Sequence, residues 1–199
     1  MSAVIAIAGC AAASPTSPAS PTSDSSAPTS NARSGPASGG AVGTVGDVSA
    51  SSFTLLTTAG EKVTVTWASA SDLTTGDPVL VLGTTSGTTI AATQVVAQPT
   101  AAEGSTMYSA SAVVPFTQGS PSAAQADGQI PADYTEGDGT IVSGSDADSA
   151  TEAALAAYPG GVVDRVVQLS TGEYEVHNIG VNWPHHVFVD AGFTVVGAN

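Results

Sequence analysis

Between residues 41 and 98 the apolar positions come in short runs: Val42-Gly-Thr-Val45, Phe53-Thr-Leu-Leu56, Lys62-Val-Thr-Val-Thr-Trp67, Val79-Leu-Val-Leu82 and Thr89-Ile-Ala-Ala-Thr-Gln-Val-Val96. Each is rich in β-branched residues and bounded by Gly, Ser, Asp or Pro, as strands closed by turns are. Val63, Val65 and Trp67 alternate with Thr64 and Thr66, which puts an apolar set on one face. Five such strands at spacings of roughly 8–12 residues predict a small barrel, because closure removes exposed edges. Trp67, at strand periodicity, is expected in the core rather than on a binding platform.

Residues 99–139 show no clear period, although Met107–Phe116 is compatible with one more strand. After residue 140 a helix is expected. Ser149-Ala-Thr-Glu152 has capping-box spacing, and a start at Ser145 or Asp146 is equally reasonable. Asp146, Asp148 and Glu152 suit the positive end of the helix dipole. Pro159-Gly160-Gly161 stops the helix. Strands then follow at Val162–Leu169, Tyr174–Ile179 and His185–Val189, with Phe193-Thr-Val-Val196 as a possible fourth. One helix followed by an antiparallel meander is α+β, the helix lying across one sheet face. A core of this size is marginal alone, so docking against the first unit or a partner would stabilise it.

Composition changes this picture at the N-terminus. Residues 11–40 hold 9 Ser, 7 Ala, 5 Pro, 3 Thr and 3 Gly, which is 27 of 30 positions. With nothing apolar larger than Ala or Pro, the segment cannot recover the entropy of ordering and is expected to be a disordered tether. Ahead of it, Ala3-Val4-Ile5-Ala6-Ile7-Ala8-Gly9 has the character of a secretory h-region, and Cys10 is the sole cysteine. No basic n-region precedes it; a start lying further upstream is the simplest explanation.

Charge excludes partner classes. The chain has 17 Asp plus Glu against 3 Lys plus Arg, a formal net charge of −14. Arg33, Lys62 and Arg165 are scattered, so neither a nucleic-acid backbone nor an anionic lipid surface finds a basic patch. No apolar run approaches the roughly 20 residues needed to span a bilayer. Asp133, Glu136 and Asp138 lie beside Gly137 and Gly139, but their spacing does not fit an EF-hand Ca²⁺ loop, and a solvated acidic linker is expected.

Three resemblances sharpen the reading. Ile7-Ala8-Gly9-Cys10 resembles the lipobox of bacterial lipoproteins, which implies cleavage before Cys10 and lipidation of its thiol. Leu73-Thr-Thr-Gly76-Asp77-Pro78-Val79-Leu-Val-Leu82-Gly83 resembles a stretch of an OB-like family of bacterial envelope proteins, which implies a turn at Gly76-Asp77 and core positions at Val79 and Val81. Ile141-Val-Ser-Gly-Ser-Asp146, Ala153-Ala-Leu-Ala-Ala-Tyr-Pro-Gly-Gly161, Val163-Asp-Arg-Val166, Gly172-Glu-Tyr-Glu-Val-His177, Val187-Phe-Val-Asp190 and Phe193-Thr-Val-Val196 resemble, in order, the PepSY-like domain of actinobacterial secreted proteins. The stretch Asn178–Pro184 departs from that pattern. Members of the wider family bind or restrain extracellular peptidases and lack catalytic residues.

The expected organisation is therefore a lipoprotein signal over 1–10, a tether over 11–40, an OB-like β-unit over 41–98, an acidic linker over 99–139 and a PepSY-like unit over 140–199. The expected function is non-enzymatic: a lipid-anchored protein on the extracellular face of the cell membrane, binding an extracellular peptidase or another envelope protein, with no cofactor and no catalytic residue. The alternative is metal or small-ligand binding through the hairpin bearing His177, His185 and His186, with Glu175 or Asp190 completing a site. Strand alternation there predicts that His185 and His186 face opposite ways, so that at most one joins His177. No Gly-x-Ser-x-Gly elbow or phosphate-binding Gly-rich loop occurs.

Overall fold

β1 (Ala37–Val48) is the strand on which the remaining elements are organised. The computed structural model describes residues 36–98, 126–131, 134–181 and 183–199. After β1 come β2 (Ser52–Thr57), β3 (Lys62–Thr66), β4 (Pro78–Ser86), β5 (Thr89–Ala97), β6 (Asp127–Gly128), β7 (Thr140–Ile141), α1 (Ser145–Ala157), β8 (Val162–Gln168), β9 (Tyr174–Ile179), β10 (His186–Val189) and β11 (Val195–Ala198). The class is α+β: mostly sheet, with one α-helix among the described residues. Cys10 with the stretch read as a lipobox, residues 11–35 of the span read as tether, Met107–Phe116 and Asp133 lie outside the described residues. β1 begins at Ala37, so the end of the span read as tether is strand. Residues 37–40 pair with Thr85 to Leu82 of β4, a long-range ladder that composition does not reveal.

The first five strands close on themselves. β1 pairs with β2, β2 with β3, β3 in parallel with β5, β5 with β4, and β4 with the N-terminal half of β1. A bulge between Val45 and Val48 bends β1 so that one strand serves both ends of the ring. The Gly76-Asp77 turn docks at that bend, with Gly76 N donating to Val45 O and Val45 N to Asp77 O. Asp77 Oδ2 accepts the Thr74 amide and holds the turn. Phe53, Leu55, Val63, Val65, Val79, Val81 and Ile90 fill the interior. Trp67 is half-buried against this cluster.

Val79-Leu-Val-Leu82 is buried on both faces, which accounts for its unbroken apolar run. Val79 and Val81 enter the barrel, whereas Leu80 and Leu82 pack beneath α1 with Ala147, Ala150, Ala154 and Leu155. The helix therefore covers barrel strands as well as β8, β9 and β10, and the two units share one core. Ala147, Ala150, Thr151, Ala154 and Leu155 repeat at the i, i+3, i+4, i+7, i+8 spacing of one helical face, and the small residues allow close approach. Across the joint, β1 pairs with β8 at Gly40 and Val163. A Cβ on Gly39 would stand 1.9 Å from the Val163 carbonyl oxygen, so the strands meet where a side chain has no room.

Two local expectations are corrected. The helix begins at Ser145, one of the starts expected, behind Gly144 with no side-chain cap; Ser149 and Glu152 lie inside it, and the capping box read at those two residues is the expectation that fails. Asp146 and Asp148 occupy its first turn, where the dipole favours them. The last strand starts at Val195 instead of Phe193. Asp190 Oδ1 accepts the amides of Gly192 and Thr194, and Phe193 adopts a left-handed φ of 59° while stacking on Tyr174. That stacking stands against the strain of a non-glycine residue in this region.

Candidate functional site

β8, β9 and β10 lie side by side, Arg165 opposite His177 and His177 opposite His186. One face of this sheet carries Val163, Val166, Val176, Val187 and Val189 and receives the helix. The other face gathers the charged groups. β8 bulges between Val163 and Arg165, placing Asp164 as an extra residue against β9. A bulge breaks strict alternation, and here Asp164 and Arg165 both reach His177. Asp164 Oδ1 lies 2.5 Å from His177 Nδ1, Arg165 Nη1 lies 3.2 Å from the same nitrogen, and Arg165 Nη1 lies 3.6 Å from Asp164 Oδ2. His177 Nδ1 cannot both donate to the carboxylate and accept from the guanidinium. The shorter, charge-assisted contact assigns its proton to the Asp164 bond.

Beside this group sits a second carboxylate–imidazole pair. Glu175 is fully buried, and its Oε1 lies 2.6 Å from His186 Nδ1. The Tyr134 hydroxyl is 3.2 Å from the same oxygen and 3.0 Å from His186 Nδ1, and its ring packs edge-on against Phe188. Burial, reinforced by the Glu175 charge, pushes the Tyr134 phenol well above its ordinary range, so the hydroxyl keeps its proton and donates. Glu175 Oε2 and Arg165 Nε are buried without a hydrogen-bond partner among the described residues. An ionised group in that position is costly.

His185 approaches from just before β10. Its Nδ1 lies 3.1 Å from the Asn178 carbonyl oxygen, an acceptor, so the ring donates there. Burial pulls its pKa below the ordinary 6.5, and the imidazoles of His177 and His186 act in the same direction. The ring centroids of His177 stand 5.2 Å from His186 and 6.4 Å from His185. Both therefore neighbour His177, contrary to the expected opposite facing. His185 precedes the ladder, where its side chain does not obey strand alternation. Glu175, one of the two carboxylates named in the alternative reading, joins the group. Asp190 does not, because its carboxylate holds the β10–β11 turn.

Each imidazole uses Nδ1 in a hydrogen bond to a carboxylate or carbonyl. Among the described residues, no group of three or more His, Cys, Asp or Glu side chains is arranged to hold a metal ion. Sequence reading missed Tyr134, Asp164 and Arg165. The first lies in a stretch without periodicity. The other two carried a usable signal: an adjacent opposite-charge pair interrupting Val162-Val163 and Val166-Val167 in the middle of a strand.

The span read as acidic linker contributes directly to this site. β6 pairs with β11 at one sheet edge and Asp127 accepts a hydrogen bond from the Tyr158 hydroxyl, 3.0 Å away, on the helix side. That bond and burial raise the Tyr158 pKa to about 12, burial contributing most. Ile130 and Tyr134 then pack on the opposite face with Val167, Leu169 and Phe188. β7 pairs with β8 at the other edge. Residues 126–131 and 134–141 thus form a strap across the charged face. Compared with protein-family models, curated proteins and solved structures, the chain gives no match.

Proposed function

We propose that this chain is an exported, non-enzymatic protein-binding module of the actinobacterial cell envelope, tethered through lipidated Cys10 to the outer face of the cell membrane, and that it restrains an extracellular peptidase. In this reading the barrel is OB-like, supported by its five-stranded closure through β1 with β3 and β5 parallel. The second unit is PepSY-like, supported by a single helix across an antiparallel β8–β9–β10–β11 sheet.

The observation that carries the binding reading is charge. Arg165 is buried against Asp164, which leaves Lys62 as the exposed cation among the described residues, against a chain total of 17 acidic residues. A surface so one-sided attracts a partner with a basic face and repels acidic ones. The metal alternative through the histidine hairpin has less support, since among the described residues no group of three or more His, Cys, Asp or Glu side chains is arranged to hold a metal ion.

The test is calorimetric titration of the full chain against secreted peptidases with basic surfaces, with peptidase activity followed in parallel. Binding that inhibits the enzyme and weakens as salt rises is expected. Absence of binding across the panel, or binding indifferent to salt, overturns the reading. Mass spectrometry of the envelope fraction is expected to find diacylglycerol on Cys10 as the first residue; an unmodified thiol behind nine retained residues refutes the anchor.

A further inference from the structure

The strap is held lightly. Its ends are ladders of two residues each, Asp127-Gly128 on β11 and Thr140-Ile141 on β8. Asp127, Gly128, Gln129, Thr135 and Glu136 are exposed, and the hold between the ends comes from the partly buried Ile130 and Tyr134 together with single hydrogen bonds, Gln129 N to Val196 O and the Tyr158 hydroxyl to Asp127. Segments with few buried apolar contacts open independently of the global fold. Opening this one uncovers the free side of β11, a strand edge able to accept another chain.

The strap is also a poor electrostatic match for what it covers. The face beneath holds the carboxylates of Asp164 and Glu175, each hydrogen-bonded to an imidazole, with the guanidinium of Arg165 as its one permanent cation. The strap adds Glu136, whose charge acts in the same sense as Glu175 on the Tyr134 phenol. Among the described residues of the strap, the neutral Tyr134 hydroxyl is what reaches Glu175, at Oε1, and Glu175 Oε2 has no donor among the described residues. A Lys or Arg side chain placed where Tyr134 lies would meet Glu175 with a full positive charge in place of a neutral hydroxyl and balance the second carboxylate.

We propose that residues 126–141 are a displaceable occupant, and that an extended basic segment of the partner protein replaces them, pairing with the β11 edge and setting a Lys or Arg side chain on Glu175. This rests on the protein-capture reading and names its site. The strap then keeps the site closed until a better-matched segment arrives, and the apparent affinity is reduced by the fraction of molecules whose strap is open.

The experiment uses the full chain and two synthetic probes, a peptide of alternating Lys and Val and its counterpart of alternating Glu and Val. The Lys/Val peptide is expected to bind, to remove hydrogen-exchange protection from 127–141 and to leave 195–198 protected. Tyr134→Ala, which loosens the strap, is expected to tighten binding about tenfold by raising the open fraction. Tyr134→Phe keeps the ring on Phe188 and is expected to tighten it in the same direction but less. Glu175→Gln is expected to weaken it about tenfold, a loss of about 1.4 kcal/mol. Equal binding of the Glu/Val peptide, or no binding by any variant, overturns the proposal. Binding of Lys/Val with 127–141 still protected overturns it too, by placing the contact elsewhere. Peptidase capture by the full chain that none of the three variants alters refutes the strap site while the capture reading stands.

Discussion

Leu82→Ala tests whether the two units are one cooperative body. Leu82 belongs to a barrel strand, yet its side chain is fully buried beneath α1 with Ala150, Ala154 and Leu155. The substitution removes three carbon atoms. At about 0.8 kcal/mol for each the transfer loss is about 2.4 kcal/mol. A rigid surround of strands and helix collapses little, and the remaining cavity brings the total to about 3–4 kcal/mol. With a urea dependence of about 2 kcal/mol per molar, the midpoint falls by about 1.5–2 M. Trp67 reports on the barrel and Trp183 on the second unit, so urea titrations in Trp67→Phe and Trp183→Phe backgrounds read them separately. Both transitions are expected to coincide and to move together. Transitions that separate, or a shift seen by only one tryptophan, would refute the shared core.

Gly39→Ala drives a Cβ to 1.9 Å from the Val163 carbonyl oxygen and is expected to cost about 3 kcal/mol, read as a lowered thermal midpoint; an unchanged midpoint contradicts the close crossing of β1 and β8. Glu175→Ala leaves His186 and Tyr134 facing a buried hole and is expected to lower stability by about 3–5 kcal/mol; a loss below about 0.5 kcal/mol, the range of surface changes, removes the pair from the structural account. His185 carries the pH dependence. Its folded pKa lies below 6.5, so the unfolded chain binds its proton more readily, and stability falls as pH drops through 6.5 toward the lower folded value. His185→Gln is expected to flatten urea midpoints over this window; an unchanged slope refutes the assignment to His185.

Much of the architecture was legible because local pattern and tertiary role agree. Val63, Val65 and Trp67 alternate in sequence and share the inward side of β3 in space. Pro159-Gly160-Gly161 ends the helix in any surrounding, and Gly76-Asp77 makes its turn with the Thr74 amide donating to Asp77 Oδ2. The gathering of histidines was half legible: spacing brought His177 and His186 opposite one another, but alternation misplaced His185 because that residue stands outside the strand.

Other features depend on contacts that no local period encodes. Val79-Leu-Val-Leu82 reads as a buried strand, while what lies on its second face is known only once α1 is seen there. The Ala-rich helix face is equally suited to cover one unit or two; the room left at Gly39 and Gly40 decides for two. The strap had no period because it follows neither a helix nor a long strand: it takes two-residue ladders at separate edges and packs the partly buried Ile130 and Tyr134 between them. Sequence set the elements, since their formation depends on neighbours a few residues away. The joint, the bulge at Asp164 and the covered Glu175 arise from surfaces brought together across the chain, where burial and charge pairing act at distances that periodicity does not measure.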